Sequence, residues 1–155
     1  MNLLGCMKIE DEIQQRTFQS EYHKLHINLV FTANWLQFRQ NAAFKEFGLT
    51  LPQFNVLRIL RGQHPKPATV NLLIERMLDK TSNASRIVDK LEAKGLVTRT
   101  VCPSNRRAVD IRITEAGLGL LQRMDAVVSD ATLGLQNLTE QEASQLNALL
   151  DKLRG

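Results

Sequence analysis

The stretch from Pro67 to Thr114 constrains this chain more than any other: PATVNLLIERMLDKTSNASRIVDKLEAKGLVTRTVCPSNRRAVDIRIT. Its apolar positions recur first at helical spacing, through Val70, Leu73, Ile74 and Met77, then through Ala84, Ile87, Val88 and Leu91. They then switch to alternation, with Val109, Ile111 and Ile113 on one face and Asp110 and Arg112 on the other. That change of period marks helix, helix, strand, turn and strand. The spacing predicts a short helix over 68–77, a second over 82–94, and strands over 97–101 and 108–113. Leu78-Asp79-Lys80-Thr81 is the turn between the helices, where Asp79, Thr81 and Ser82 are alternative caps. Gly95 stops the second helix. The turn Cys102-Pro103-Ser104-Asn105-Arg106-Arg107 is expected to carry two adjacent arginines at its tip.

Charge singles out the same stretch. Residues 76–107 hold eight Lys and Arg against three Asp and Glu, a net +5, while the other 123 residues hold 12 against 13. All the surplus positive charge of the chain, +4 overall, therefore lies here. Such localisation is expected of a phosphate-binding surface, with a solvated basic helix face as the plain alternative.

The flanking sequence reads as helices around this centre. Ile9 and Ile13 open a helix or a loosely held arm before Thr17. Leu25, Leu29, Ala33, Leu36 and Ala43 form one stripe over Tyr22–Phe47, which Gly48 ends. Thr50 caps the next helix, Pro52 fits its first turn, and Phe54, Val56, Leu57 and Leu60 are its core face. Thr114-Glu115-Ala116-Gly117 starts a helix expected to reach about Gln136, through Ala116, Leu120, Met124, Val127, Ala131 and Leu135. Thr139 and Glu142 make a capping box for the last helix, whose apolar positions are Ala143, Leu146, Leu149, Leu150 and Leu153.

A chain of 155 residues is one domain by the usual prior. No apolar run approaches the roughly 20 residues that span a bilayer, so no membrane partner is expected. No signal peptide is visible, and the expected compartment is the cytoplasm. Cys6 and Cys102 have no ligand-like spacing and read as two reduced thiols. The three histidines, His23, His26 and His64, sit in no catalytic or metal-ligand pattern, and no Gly-rich phosphate loop exists. Neither an enzyme, a cofactor nor a metal is expected.

A helix-turn-helix needs one bracing helix and a second whose polar first turns meet base edges. Ser82, Asn83, Ser85, Arg86 and Lys90 are the candidate contacts on the second helix, with Arg106 and Arg107 of the hairpin as minor-groove candidates. Plain capping accounts equally for Ser82 and Asn83, so the hairpin supplies independent weight. Tyr22, His26, Trp35 and Phe54 are candidate lining of a small-ligand pocket, with core packing as the plainer account. Double apolar stripes on Tyr22–Phe47 and Ala116–Gln136 suit helices that pack both within a protomer and against a second copy. A sensor of redox state or of a small ligand, acting through protein contacts, is the competing reading.

The residues resemble the MarR family of winged helix-turn-helix regulators from about Tyr22 to Leu153. The likeness is carried by Leu49–Phe54, by Ser85-Arg86-Ile87-Val88-Asp89-Lys90-Leu91-Glu92-Ala93-Lys94-Gly95-Leu96-Val97, and by Arg106–Gly117. It implies a mainly α fold with a small two- or three-stranded antiparallel wing, in a single domain over 1–155. The winged lobe would span about 50–114, with dimerisation helices at about 9–47 and 115–154. It also implies a homodimer on double-stranded DNA at a pseudo-palindromic operator, acting as a repressor relieved by a small lipophilic or phenolic effector. The chain departs from the family pattern at Asn105, where an Asp usually braces the second wing arginine, and at Asp79, where an apolar residue is usual. Cys6-Met7-Lys8-Ile9 does not match the peroxide-sensing branch.

Overall fold

The computed structural model describes residues 8–102, 105–128 and 134–155, with backbone alone at 102 and 105–108. The described chain forms two compact units, Met1–Arg39 and Gln40–Gly155. In chain order the helices are α1 (Ile9–Glu12), α2 (Glu21–Lys45), α3 (Leu51–Gln63), α4 (Val70–Arg76) and α5 (Ala84–Ala93). Strands β1 (Val97–Cys102) and β2 (Asn105–Ile113) follow, then α6 (Glu115–Val127) and α7 (Glu140–Arg154).

The first unit holds α1 and most of α2. Ser20 opens α2 by accepting from the His23 backbone N–H at 3.1 Å. Lys24 pairs with Glu10 at 2.5 Å. That bond holds the Glu10 carboxyl below its ordinary value, since it favours the ionised form.

The second unit is organised around α3. Thr50 and Gln53 cap it reciprocally, so two otherwise orphaned N–H groups are satisfied at once. Its inner face, Val56, Leu57 and Leu60, is fully buried together with Leu73, Val88, Leu91, Ile111, Leu121 and Met124. One aliphatic core thus joins α3, α4, α5, the hairpin and α6. Thr114 caps α6 through the Gly117 N–H (3.1 Å) and donates its hydroxyl to the Gly95 carbonyl (2.8 Å).

The strands pair antiparallel, Val97 with Ile113 through Val101 with Val109, as the alternation predicts. Ile111 and Ile113 are buried and Arg112 is exposed, also as predicted. Ala68 exchanges two backbone bonds with Ile111 (2.9 and 2.8 Å), a single bridge beside a two-stranded sheet.

Several boundaries differ from expectation. The helix from Glu115 does not run unbroken to Gln136. Val128 leaves helical geometry at ψ 68°, and Leu135–Asn137 is a separate 3-10 turn after Gly134 at φ 74°. Ala131 lies outside the described residues. α4 begins at Val70, because Ala68 is held in the bridge and Thr69 is the cap. α5 begins at Ala84, because Asn83 takes the cap position that Asp79, Thr81 and Ser82 were expected to fill. Among the described residues no helix is long and apolar enough to cross a membrane.

Candidate nucleic-acid interface

The turn before α5 is held by side-chain hydrogen bonds, some to backbone and some to other side chains. Asn55 of α3 accepts from the Leu78 N–H at 3.0 Å. Lys80 donates to the carbonyls of Ile74 and Glu75, which closes the C-terminal end of α4. Asp79 accepts from the Thr81 N–H (2.9 Å), the Thr81 hydroxyl (2.6 Å) and the Ser82 hydroxyl (2.6 Å). The Ser82 hydroxyl, then that of Thr81, pulls the Asp79 carboxyl from its ordinary 3.8 down to about 2. Asn83 then accepts from the Arg86 N–H at 3.0 Å and starts the helix.

α5 divides into an inner and an outer face. Ala84, Val88 and Leu91 are buried, while Ser85, Arg86, Asp89 and Lys90 are exposed. The two acids of this helix would oppose a phosphate backbone, but one residue takes up both. Arg99 of β1 pairs with Asp89 at 2.7 Å and approaches Glu92 at 3.7 Å. It also donates to the Ser85 carbonyl at 3.0 Å. Arg99 is therefore a staple between the helix and the strand behind it. The basic stretch thus splits by role. Lys80, Arg99 and Lys94, which donates to the Gly48 carbonyl, are turned onto the protein. Arg86 and Lys90 remain on the exposed face of α5, with Arg76 exposed at the end of α4.

The hairpin differs from the expected six-residue turn. Cys102 pairs with Asn105, so the backbone of Arg106 and Arg107 belongs to β2 and not to the tip. The ladder slips here: the next pair is Val101 with Val109, which leaves residues 106–108 on β2 between the two pairs. Pro103 and Ser104, the Arg106 and Arg107 side chains, the Cys102 thiol and Cys6 lie outside what is described.

The four candidate pocket residues are not alike. Tyr22, His26 and Trp35 are exposed on α2, and the Arg39 guanidinium stands 5.0 Å over the Trp35 ring. Phe54 is buried in the core of the second unit, its ring 4.7 Å from that of Phe44. Asn55 and Arg99 are the structurally important residues that motif reading missed. Only the acidic spacing Asp89 to Glu92, which calls for a cation on the adjoining strand, hinted at Arg99.

A bracing helix, a pinned turn, a polar-faced second helix and an antiparallel wing define a winged helix-turn-helix DNA-binding protein. Comparison with known proteins agrees. A profile of the MarR family matches residues 47–108. The HTH-type transcriptional regulator MgrA of Staphylococcus aureus is 27% identical over 139 residues, covering 86% of this chain and 92% of its own. A MarR transcription factor from Planctomyces limnophilus is 29% identical with a TM-score of 0.67, covering 89% of this chain and 98% of its own. A MarR mutant from E. coli, solved in complex with operator DNA, shares the fold at a TM-score of 0.74 and 22% identity, covering 89% and 99%. A MarR-family model thus matches the winged lobe, and over most of its length the chain is similar to MarR-family transcriptional regulators.

Proposed function

We propose that the protein is a homodimeric repressor that reads a pseudo-palindromic operator with α5 in the major groove. The observation that carries this reading is the outer face of α5. It presents Ser85, Arg86 and Lys90 to solvent while Arg99 engages its two acids from behind. Arg86 suits a guanine edge and Lys90 a phosphate or base oxygen. Ser82 and Asn83 stand at the start of the same helix, where a dipole also favours phosphate. Arg106 and Arg107 on the wing strand are assigned to the minor groove. The single MarR-type domain is read as a winged lobe over about 50–114, flanked by dimerisation helices over about 9–47 and 115–154.

The dimer is supported by α7. None of its residues is buried, although Leu146, Leu149 and Leu153 line one side of it. The repressor is relieved by a small lipophilic or phenolic effector, a mode drawn from the family and supported by the exposed aromatic residues Tyr22 and Trp35 on α2.

Selection from a pool of random duplexes tests the reading. It should recover one motif with two related halves. Binding to it should weaken with salt at about 0.9 log units per phosphate contact. Arg86→Ala should cost roughly 1–3 kcal/mol at one base pair in each half. Recovery of no motif, or an Arg86→Ala loss spread evenly over all sequences, would contradict the assignment.

A further inference from the structure

We propose that the first turn of α5 meets bases with a fixed hydrogen-bond polarity: Ser82 presents acceptors only, and Asn83 presents a donor group only. The proposal rests on the reading of α5 as the recognition helix and deepens it. A hydroxyl ordinarily donates or accepts, and a free Asn amide does both, so such residues tolerate several bases. Here the fold removes that freedom before DNA arrives.

Ser82 loses its donor to Asp79. An ionised carboxylate only accepts, so in the 2.6 Å contact the single hydroxyl proton lies on Ser82 and points at Asp79. What Ser82 keeps for a partner is lone pairs. They match the exocyclic amines of adenine and cytosine and not the carbonyl oxygens of guanine and thymine. Thr81 is held in the same sense, its hydroxyl donating to the other Asp79 oxygen at 2.6 Å.

Asn83 commits one lone pair of its Oδ1 to the helix, and that bond turns the oxygen toward the Arg86 N–H and away from a shared base edge. A backbone N–H only donates, so the atom 3.0 Å from the Arg86 nitrogen is Oδ1, and the orientation of the amide follows. The oxygen is drawn back over the first turn of α5, and Nδ2 is the part of the amide not committed to the cap. Bidentate pairing with adenine needs the oxygen and the nitrogen on one base edge. With the oxygen on the cap, the available bond is donation to a single acceptor: a purine N7, a guanine O6 or a thymine O4. This replaces the adenine pairing that an uncapped Asn would make. Asp79 becomes a positioning residue, acting on the base through the proton of Ser82.

The test uses the full-length protein and an operator recovered by selection. Asn83→Ser keeps an oxygen for the cap and removes the amide donor, so the thermal midpoint should hold. Affinities of wild type and Asn83→Ser are compared on duplexes with one functional group deleted at a time. The duplexes carry 7-deazapurine for N7, 2-aminopurine for guanine O6, 5-methyl-2-pyrimidinone for thymine O4, and purine for the adenine 6-amino group. The expected result is a loss of roughly tenfold for Asn83→Ser that is absent on one acceptor-deleted duplex. Coupling to the adenine 6-amino group, or coupling to no base atom at all, overturns the Asn83 assignment. In parallel, Asp79→Ala frees the Ser82 rotor and should flatten the preference between amino and keto bases at one position. An unchanged preference there overturns the Ser82 assignment. A wild-type protein without any base preference overturns the reading of α5 as a recognition helix, which separates that failure from these two.

Discussion

Single residues in this chain are fixed by contacts that a side chain of the wrong size or charge breaks. Gly117 is the sharpest case. A Cβ there would lie 2.5 Å from the Leu96 carbonyl oxygen and 2.7 Å from Ile113 Cγ1. The same carbonyl already accepts from the Thr114 N–H at 3.1 Å, so it has no room to retreat. Gly117→Ala would gain at most about 1 kcal/mol of helix propensity, and less in a first turn. Overpacking against rigid backbone costs roughly 1–3 kcal/mol, so the substitution should destabilise on balance. The urea midpoint should fall with an unchanged slope. A raised midpoint would show that α6 can shift away from the hairpin. The Thr-Glu-Ala-Gly start of α6 was legible as a cap from its Thr. The need for its Gly was not, because that need comes from a strand end about twenty residues earlier in the chain.

At the scale of elements, the lobe depends on how α5 is tied to its surroundings. Periodicity placed α3, α4, α5 and both strands, because an apolar stripe has one period in a helix and another in a strand. It misjudged their ends. Helix starts are decided by single side chain to backbone bonds, and Asp79, Thr81, Ser82 and Asn83 all have the chemistry of a cap. Only the fold shows that Asn83 caps while Asp79 gathers the two hydroxyls before it. Charge counting met a similar limit. It located the basic stretch but could not separate the cations turned onto the protein from those facing out. Arg99 illustrates the consequence. Arg99→Ala leaves Asp89 and Glu92 uncompensated on the helix proposed to face DNA. At about 10 Å from a phosphate each charge costs about 0.4 kcal/mol in water, so affinity should fall severalfold. The ion pairs are partly exposed and should contribute only about 1 kcal/mol or less to stability. Adding Asp89→Asn and Glu92→Gln to Arg99→Ala should restore most of the affinity, read by fluorescence anisotropy at fixed salt. A triple variant as weak as Arg99→Ala alone would mean that Arg99 itself touches DNA.

For the whole molecule, the last helix leaves an apolar side uncovered among the described residues. Thr139 and Glu142 cap α7 reciprocally, the Thr139 N–H donating at 2.8 Å, so the helix is well specified. Yet Leu146, Leu149 and Leu153 stay 44%, 63% and 56% exposed. Covering the remaining half of leucines like these stabilises an association by up to roughly 1–1.5 kcal/mol each. A second copy related by two-fold symmetry would cover that face and fix the distance between two α5 helices. The central claim is that two such helices read two major grooves on one face of the duplex. Its most direct test is a combined hydroxyl-radical and guanine N7 methylation footprint on the selected operator. The predicted result is two protected blocks, centred about 34–36 Å apart or a multiple of that spacing, with N7 protection in both halves that Arg86→Ala removes. A single protected block, or N7 reactivity unchanged by the protein, would contradict it.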